Sequence, residues 1–103
     1  MEIKAVLKID LPGDPTIKQC RDFYQELSER NWQKMTNEEA RFIVVYNNLL
    51  SYEEALDAIK KEISQASRIS GISRYGTLVH FVENNTVVFF CGKADEEENG
   101  FKV

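Results

Sequence analysis

The sequence predicts an α+β sandwich: an antiparallel sheet of four to five strands, with two helices on one face, in the order βαββαββ. Three observations lead there. Strand-period and helix-period segments alternate along the chain. The clearest strand, 40–46, is apolar on both sides, as in a covered sheet. The last third reads as a single hairpin.

The elements follow in order. Ile3, Ala5, Leu7 and Ile9 alternate with Glu2, Lys4, Lys8 and Asp10, a period-two strand with one wet face that only Val6 interrupts. Leu11, Pro12 and Gly13 signal a turn. Asp14 then reads as an N-cap with Pro15 at the first helical position, where a missing N–H costs nothing. The helix carries Ile17, Cys20, Tyr24 and Leu27 on one stripe with Phe23 beside it, and stops near Asn31. Trp32 to Met35 is a short strand, and Thr36 to Glu39 a turn.

In the strand over 40–46, Phe42 and Val44 point one way, Ile43 and Val45 the other. Ser51 and Glu54 have the spacing of a capping box. Ala55, Leu56, Ile59, Ile63 and Ala66 form the second helix's buried stripe, and Gly71 stops it. Thr77 to Glu83 and Thr86 to Cys91 flank Asn84 and Asn85, residues that tolerate the positive φ of a tight turn. A two-residue loop puts Phe81 opposite Val88 and Val79 opposite Phe90. Two helices of this length cover one face of such a sheet, and right-handed crossovers place both on the same side. The arrangement is ferredoxin-like, with strands one and three central.

Length and composition suit one domain. The chain has 103 residues, 43% hydrophobic and 29% charged, with no apolar run near the ~20 residues a membrane span needs. The reading is a single domain over 1–94 and an acidic tail over 95–103. The opening ten residues lack a signal-peptide core, so the expected compartment is the cytoplasm, with no membrane partner. Net charge is −4. Setting aside the run Asp95 to Glu98 leaves 13 acids against 13 Lys plus Arg, a neutral body that argues against DNA as partner. Cys20 and Cys91 lie in apolar periodic segments and read as reduced core residues.

Catalytic inventory is thin. The one histidine, His80, sits between Val79 and Phe81, and no nucleophile-elbow, P-loop or dinucleotide pattern occurs. Asp10 and Asp14 flank the first loop. Two-fold symmetry that joined two copies of Asp10 would make a hard oxygen site for Mg²⁺ or Mn²⁺. No other cofactor is expected. Two helices leave one sheet face uncovered, and the residues available to it are apolar. A homodimer or a docked protein partner is therefore expected. The candidate interface is Ile43 and Val45 with one hairpin face, Val79, Phe81, Val88 and Phe90. The opposite hairpin face, Leu78, His80 and Val82 with Val87, Phe89 and Cys91, is also largely apolar.

Val6 to Asp10, the Pro-containing loop, the first helix and Phe42 to Val45 together resemble two families of small ferredoxin-like homodimers. These are the CRISPR-adaptation nuclease subunits and the GhoS-type antitoxin endoribonucleases. The first resemblance implies that Asp10 is a catalytic metal ligand. The second implies RNA as substrate, with Lys18, Arg21, Arg30, Lys34 and Arg41 as phosphate contacts; Trp32 and Tyr46 are then candidates to stack bases. Asp10-Leu11-Pro12-Gly13 is also similar to the loop of ACT regulatory domains, which implies an amino-acid ligand near Gly13. Three expectations follow. The first is a dimeric interaction or regulatory protein, most specifically of a toxin–antitoxin or phage-related system. The others are a metal-assisted endoribonuclease and an ACT-like small-ligand sensor.

Overall fold

The computed structural model describes residues 2–35, 41–48 and 51–93. The strands are β1 (Ile3–Asp10), β2 (Gln33–Lys34), β3 (Arg41–Tyr46), β4 (Arg74–Phe81) and β5 (Thr86–Lys93), and the helices α1 (Ile17–Glu29) and α2 (Tyr52–Ser70). They form an α+β fold whose sheet is antiparallel in the order β2-β3-β1-β4-β5. The expected turn over 36–39 and the tail over 95–103 lie outside the described residues.

One core lies between the helices and one side of the sheet. Its β1 members, Ile3, Ala5, Leu7 and Ile9, are the alternating apolar set of the sequence. Phe42 and Val44 of β3, Tyr75, Val79 and Phe81 of β4, the helical Phe23, Leu27, Ala55, Ile59, Ile63 and Ala66, and Trp32 and Ile72 just beyond the two helices complete it. Thr77 is wholly buried there, and its Oγ1 has no hydrogen-bond partner among the described residues. A buried hydroxyl without a partner carries a desolvation penalty that a methyl group of the same shape does not. Thr77→Val is therefore expected to stabilise the fold by about 1 kcal/mol, read as a higher urea midpoint with an unchanged slope.

Helix α1 begins later than the sequence reading placed it. Thr16, not Asp14, is the N-cap. Its Oγ1 accepts from Gln19 N at 3.0 Å, and Gln19 Oε1 accepts from Thr16 N at 2.9 Å. Asp14 has φ 51°, a left-handed turn conformation, whereas Thr16 has the extended backbone a cap requires. The shift puts Ile17 on the first turn at 85% exposure, off the buried stripe. Phe23 and Leu27 are buried, while Cys20 and Tyr24 are half-buried. Gln19 Nε2 also donates to Gly71 O at 3.1 Å, tying the start of α1 to the end of α2.

Helix α2 is capped by Ser51, whose Oγ accepts from Glu54 N at 3.2 Å. It ends at Gly71, which at φ 79° is left-handed and turns its N–H back to the last helical carbonyls. Beside the apolar stripe, Ser67 and Ser70 are buried with their hydroxyls bonded to backbone carbonyls.

The hairpin register differs from the two-residue loop. The closing pair is Phe81 with Thr86, so Val79 lies opposite Val88 and Thr77 opposite Phe90. The two-residue type I′ turn needs positive φ at both central residues, and only Asn85 has it, at 56°. Asn84 instead accepts from Thr86 N through its Oδ1 at 3.0 Å. Val82 N donates to Lys4 O at 3.0 Å, and the Glu83 carboxylate accepts from Lys4 N at 3.1 Å. Contacts to β1 thus hold Val82 and Glu83 in place of pairing with β5.

Candidate functional site

The second side of the sheet carries no helix. Register aligns its side chains in rows across the strands. Ile43, Val6, His80 and Val87 make one row; Arg41, Lys8, Leu78 and Phe89 the next; Asp10, Gly76 and Cys91 a third. Val45 lies opposite Lys4. Of the large apolar side chains exposed to solvent, Phe89 (62%), Val87 (57%), Val82, Val45 and Leu78 all belong to this face. Ile17 and Ile69 lie apart on the helices.

The Phe89 ring lies over Gly76, where a Cβ would be in ordinary contact with its Cζ at 3.5 Å. On the other, helix-covered side, a Cβ on Gly92 would collide with the ring of the core residue Tyr75. Asp10, Pro12, Arg74, Gly76, Phe89 and Cys91 border a cleft of about 390 Å³ at this end of the sheet. A smaller one, about 170 Å³, lies between Val6, Lys8, Arg41, Leu78 and His80. His80 Nε2 is 2.6 Å from Asn85 Oδ1, which links the ring to the hairpin loop.

The sequence-derived interface residues divide between the two sides. Ile43 and Val45 are on the uncovered face. Val79 and Phe81 are buried under the helices, with the Phe81 and Tyr52 rings 5.1 Å apart. Val88 and Phe90 point the same way, half-buried, with Lys60 Nζ 5.5 Å over the Phe90 ring. The cause is register with β1: Val79 pairs with Leu7 and Phe81 with Ala5, both core residues. The alternate set, Leu78, His80, Val82, Val87, Phe89 and Cys91, therefore faces outward. Cys91 is accordingly exposed rather than buried, and both cysteines are free thiols.

Asp10 is exposed at the end of β1 on the same face. Among the described residues, no three His, Cys, Asp or Glu side chains gather as a metal site. A divalent ion at Asp10 would draw its remaining ligands from water, substrate phosphate or a second copy. The five proposed phosphate contacts do not form one groove. Lys18 pairs with Asp22 at 2.7 Å, and Arg30 with Glu26 at 2.7 Å; Arg21 is exposed on α1. Lys34 lies on the helix side, 5.6 Å over the Tyr24 ring. Arg41 alone shares the uncovered face, beside Lys8. There it joins Lys4, Lys8 and Arg74, a set that residue order does not reveal because cross-strand register assembles it.

Trp32 and Tyr46 are occupied elsewhere. Trp32 is buried and donates its Nε1–H to Glu62 Oε1, which also accepts from Tyr46 OH at 3.0 Å. Burial, then the Glu62 charge, pushes the Tyr46 phenol far above its ordinary pKa. Neither ring is placed to stack a base. Glu62 is a structural acceptor that the sequence reading missed; its only signal is its place next to the stripe residue Ile63. Glu62→Leu strands the indole N–H and should cost about 1–3 kcal/mol in a urea melt. Glu62→Gln keeps an acceptor oxygen and should lose much less.

No helix among the described residues is long and apolar enough to cross a membrane. Comparison with protein-family models, curated proteins and solved structures returned no match.

Proposed function

We propose that this is a ferredoxin-like, homodimeric interaction protein that works by binding through the uncovered side of its sheet rather than by catalysis. The observation that carries the reading is the contiguous outward set Leu78, Val82, Val87 and Phe89, large apolar side chains each at least two-fifths exposed. Adjoining exposed apolar side chains of this kind mark protein interfaces on folded domains. Self-association uses the hairpin end of the sheet, where Val87 and Phe89 lie, and the dimer so formed engages its target through the uncovered face as a regulator. Regulation within a toxin–antitoxin or phage-related system is the most specific form of the reading. Sedimentation of the full chain tests it. The expected species has twice the 11.9 kDa chain mass; a chain that stays monomeric at about 100 μM lacks the interface.

A second reading is favoured by Lys8 and Arg41, in the same cross-strand row as the exposed Phe89 ring, with Lys4 and Arg74 towards the two ends of the face. Cations around an exposed aromatic ring suit single-stranded RNA. Titrating labelled protein with a short single-stranded RNA at low salt, with Mg²⁺ present, should then shift these four residues and Phe89. Shifts confined to α1, at Lys18 and Arg21, would contradict it. An endoribonuclease on this surface would use Asp10, and cleavage surviving Asp10→Asn would remove that role.

A further inference from the structure

We infer that β5 is the strand along which the second copy joins, so that two five-stranded sheets fuse edge to edge into one antiparallel ten-stranded sheet. The inference rests on the homodimer reading and supplies its contact.

The two edges of the sheet are unlike. β2 has two residues, too short to template another strand, whereas β5 has eight. Edge strands that remain alone are usually protected by charges, proline, a bulge or brevity. From Thr86 to Gly92, β5 has no charge and no proline, and its pairing with β4 runs without a bulge from Thr86 to Lys93. Its outer backbone groups pair with no strand among the described residues.

The strand is also self-complementary. An antiparallel pair centred on Phe89 sets Val87 opposite the partner's Cys91 and Val88 opposite the partner's Phe90. Phe89 meets the partner's Phe89 on the uncovered face. Every central pair is apolar, and Lys93 falls opposite the partner's Asn85, so no like charges are directly opposed. Stacking the two sheets face to face is less suited to the charges. The central strand β1 carries Lys4 and Lys8 on that face, with Arg41 next to Lys8. Edge pairing leaves these cations in water and away from one another.

Amide exchange of the full chain, followed by NMR alongside sedimentation at the same concentrations, tests the geometry. A bare edge protects alternate amides, those bonded to β4; a paired one protects successive amides. The expected result is a dimer with successive protection from Val87 to Cys91, reverting to alternate protection on dilution to monomer. Val45→Glu, two strands beyond β4, should leave the dimer intact. A dimer with alternate protection that Val45→Glu dissociates would overturn the edge geometry while leaving the homodimer standing. Monomer at every concentration would overturn both. Successive protection in a monomer would mean that the chain beyond Lys93 occupies the edge, which overturns the inference.

Discussion

Phe89→Glu is expected to dissociate the homodimer while leaving the monomer folded. Position 89 is the most exposed large apolar residue of the sheet at 62%, so its loss removes little from the core. A change of about 1 kcal/mol or less in unfolding free energy is expected. Dimerisation is affected far more. A large aromatic at the centre of an interface is the residue type that dominates binding energy, and a glutamate would face its own copy across the two-fold axis. Losing about 2.8 kcal/mol corresponds to a hundredfold weaker dimer, visible as monomer across the sedimentation range in which the wild type is dimeric. Cys91→Ser, on the same face but smaller and polar-tolerant, should weaken it only slightly.

Leu7→Ala is the second large effect, and it acts on the opposite side of the sheet, from the central strand β1. Leu7 is wholly buried at the middle of β1, paired with Phe42 on one side and Val79 on the other. A leucine truncated in such a core costs about 2–5 kcal/mol, against a total of about 5–15 kcal/mol for a domain. The urea midpoint should fall sharply, with dimerisation lost only as a consequence of unfolding. Its neighbour Val6 points to the uncovered face, and Val6→Ala should cost only about 1 kcal/mol. The contrast between adjacent residues measures directly which side of the sheet is core.

The layers were legible in the sequence because β1 alternates so cleanly: Ile3, Ala5, Leu7 and Ile9 declare the buried side before any partner strand is known. Ser51 and Gly71 marked the ends of α2 for equally local reasons, a side-chain cap and a left-handed stop. The start of α1 was harder. Asp14 and Pro15 make a plausible helix start, but the reciprocal Thr16–Gln19 pair satisfies two backbone donors and wins. The hairpin was harder again. Two asparagines suggested a tight turn, yet the tie from Val82 and Glu83 to Lys4 is a long-range contact that no local pattern contains.

The site was the least legible part for the same reason. Both sides of β4 and β5 are apolar, so the hairpin's own pattern does not say which side is covered. Pairing of Val79 with Leu7 decides it. That one register turns Val79, Phe81, Val88 and Phe90 inward and hands the outer surface to Leu78, Val87 and Phe89. Together with the β1–β3 register it sets Lys4, Lys8, Arg41 and Arg74, from distant parts of the chain, on one face. The acids of 95–98 are consecutive in the chain, whereas the cations of the face are scattered along it.

The most direct test of the sheet surface is relaxation of the full chain's amides by a soluble paramagnetic probe at a concentration where sedimentation shows the dimer. The account predicts strong broadening at Lys18 and Arg21 on α1, and protection along the β5 edge from Val87 to Cys91, which becomes accessible in Phe89→Glu. Broadening of β5 equal to that of α1 in the wild type would mean that this edge stays open to water, and would contradict the account.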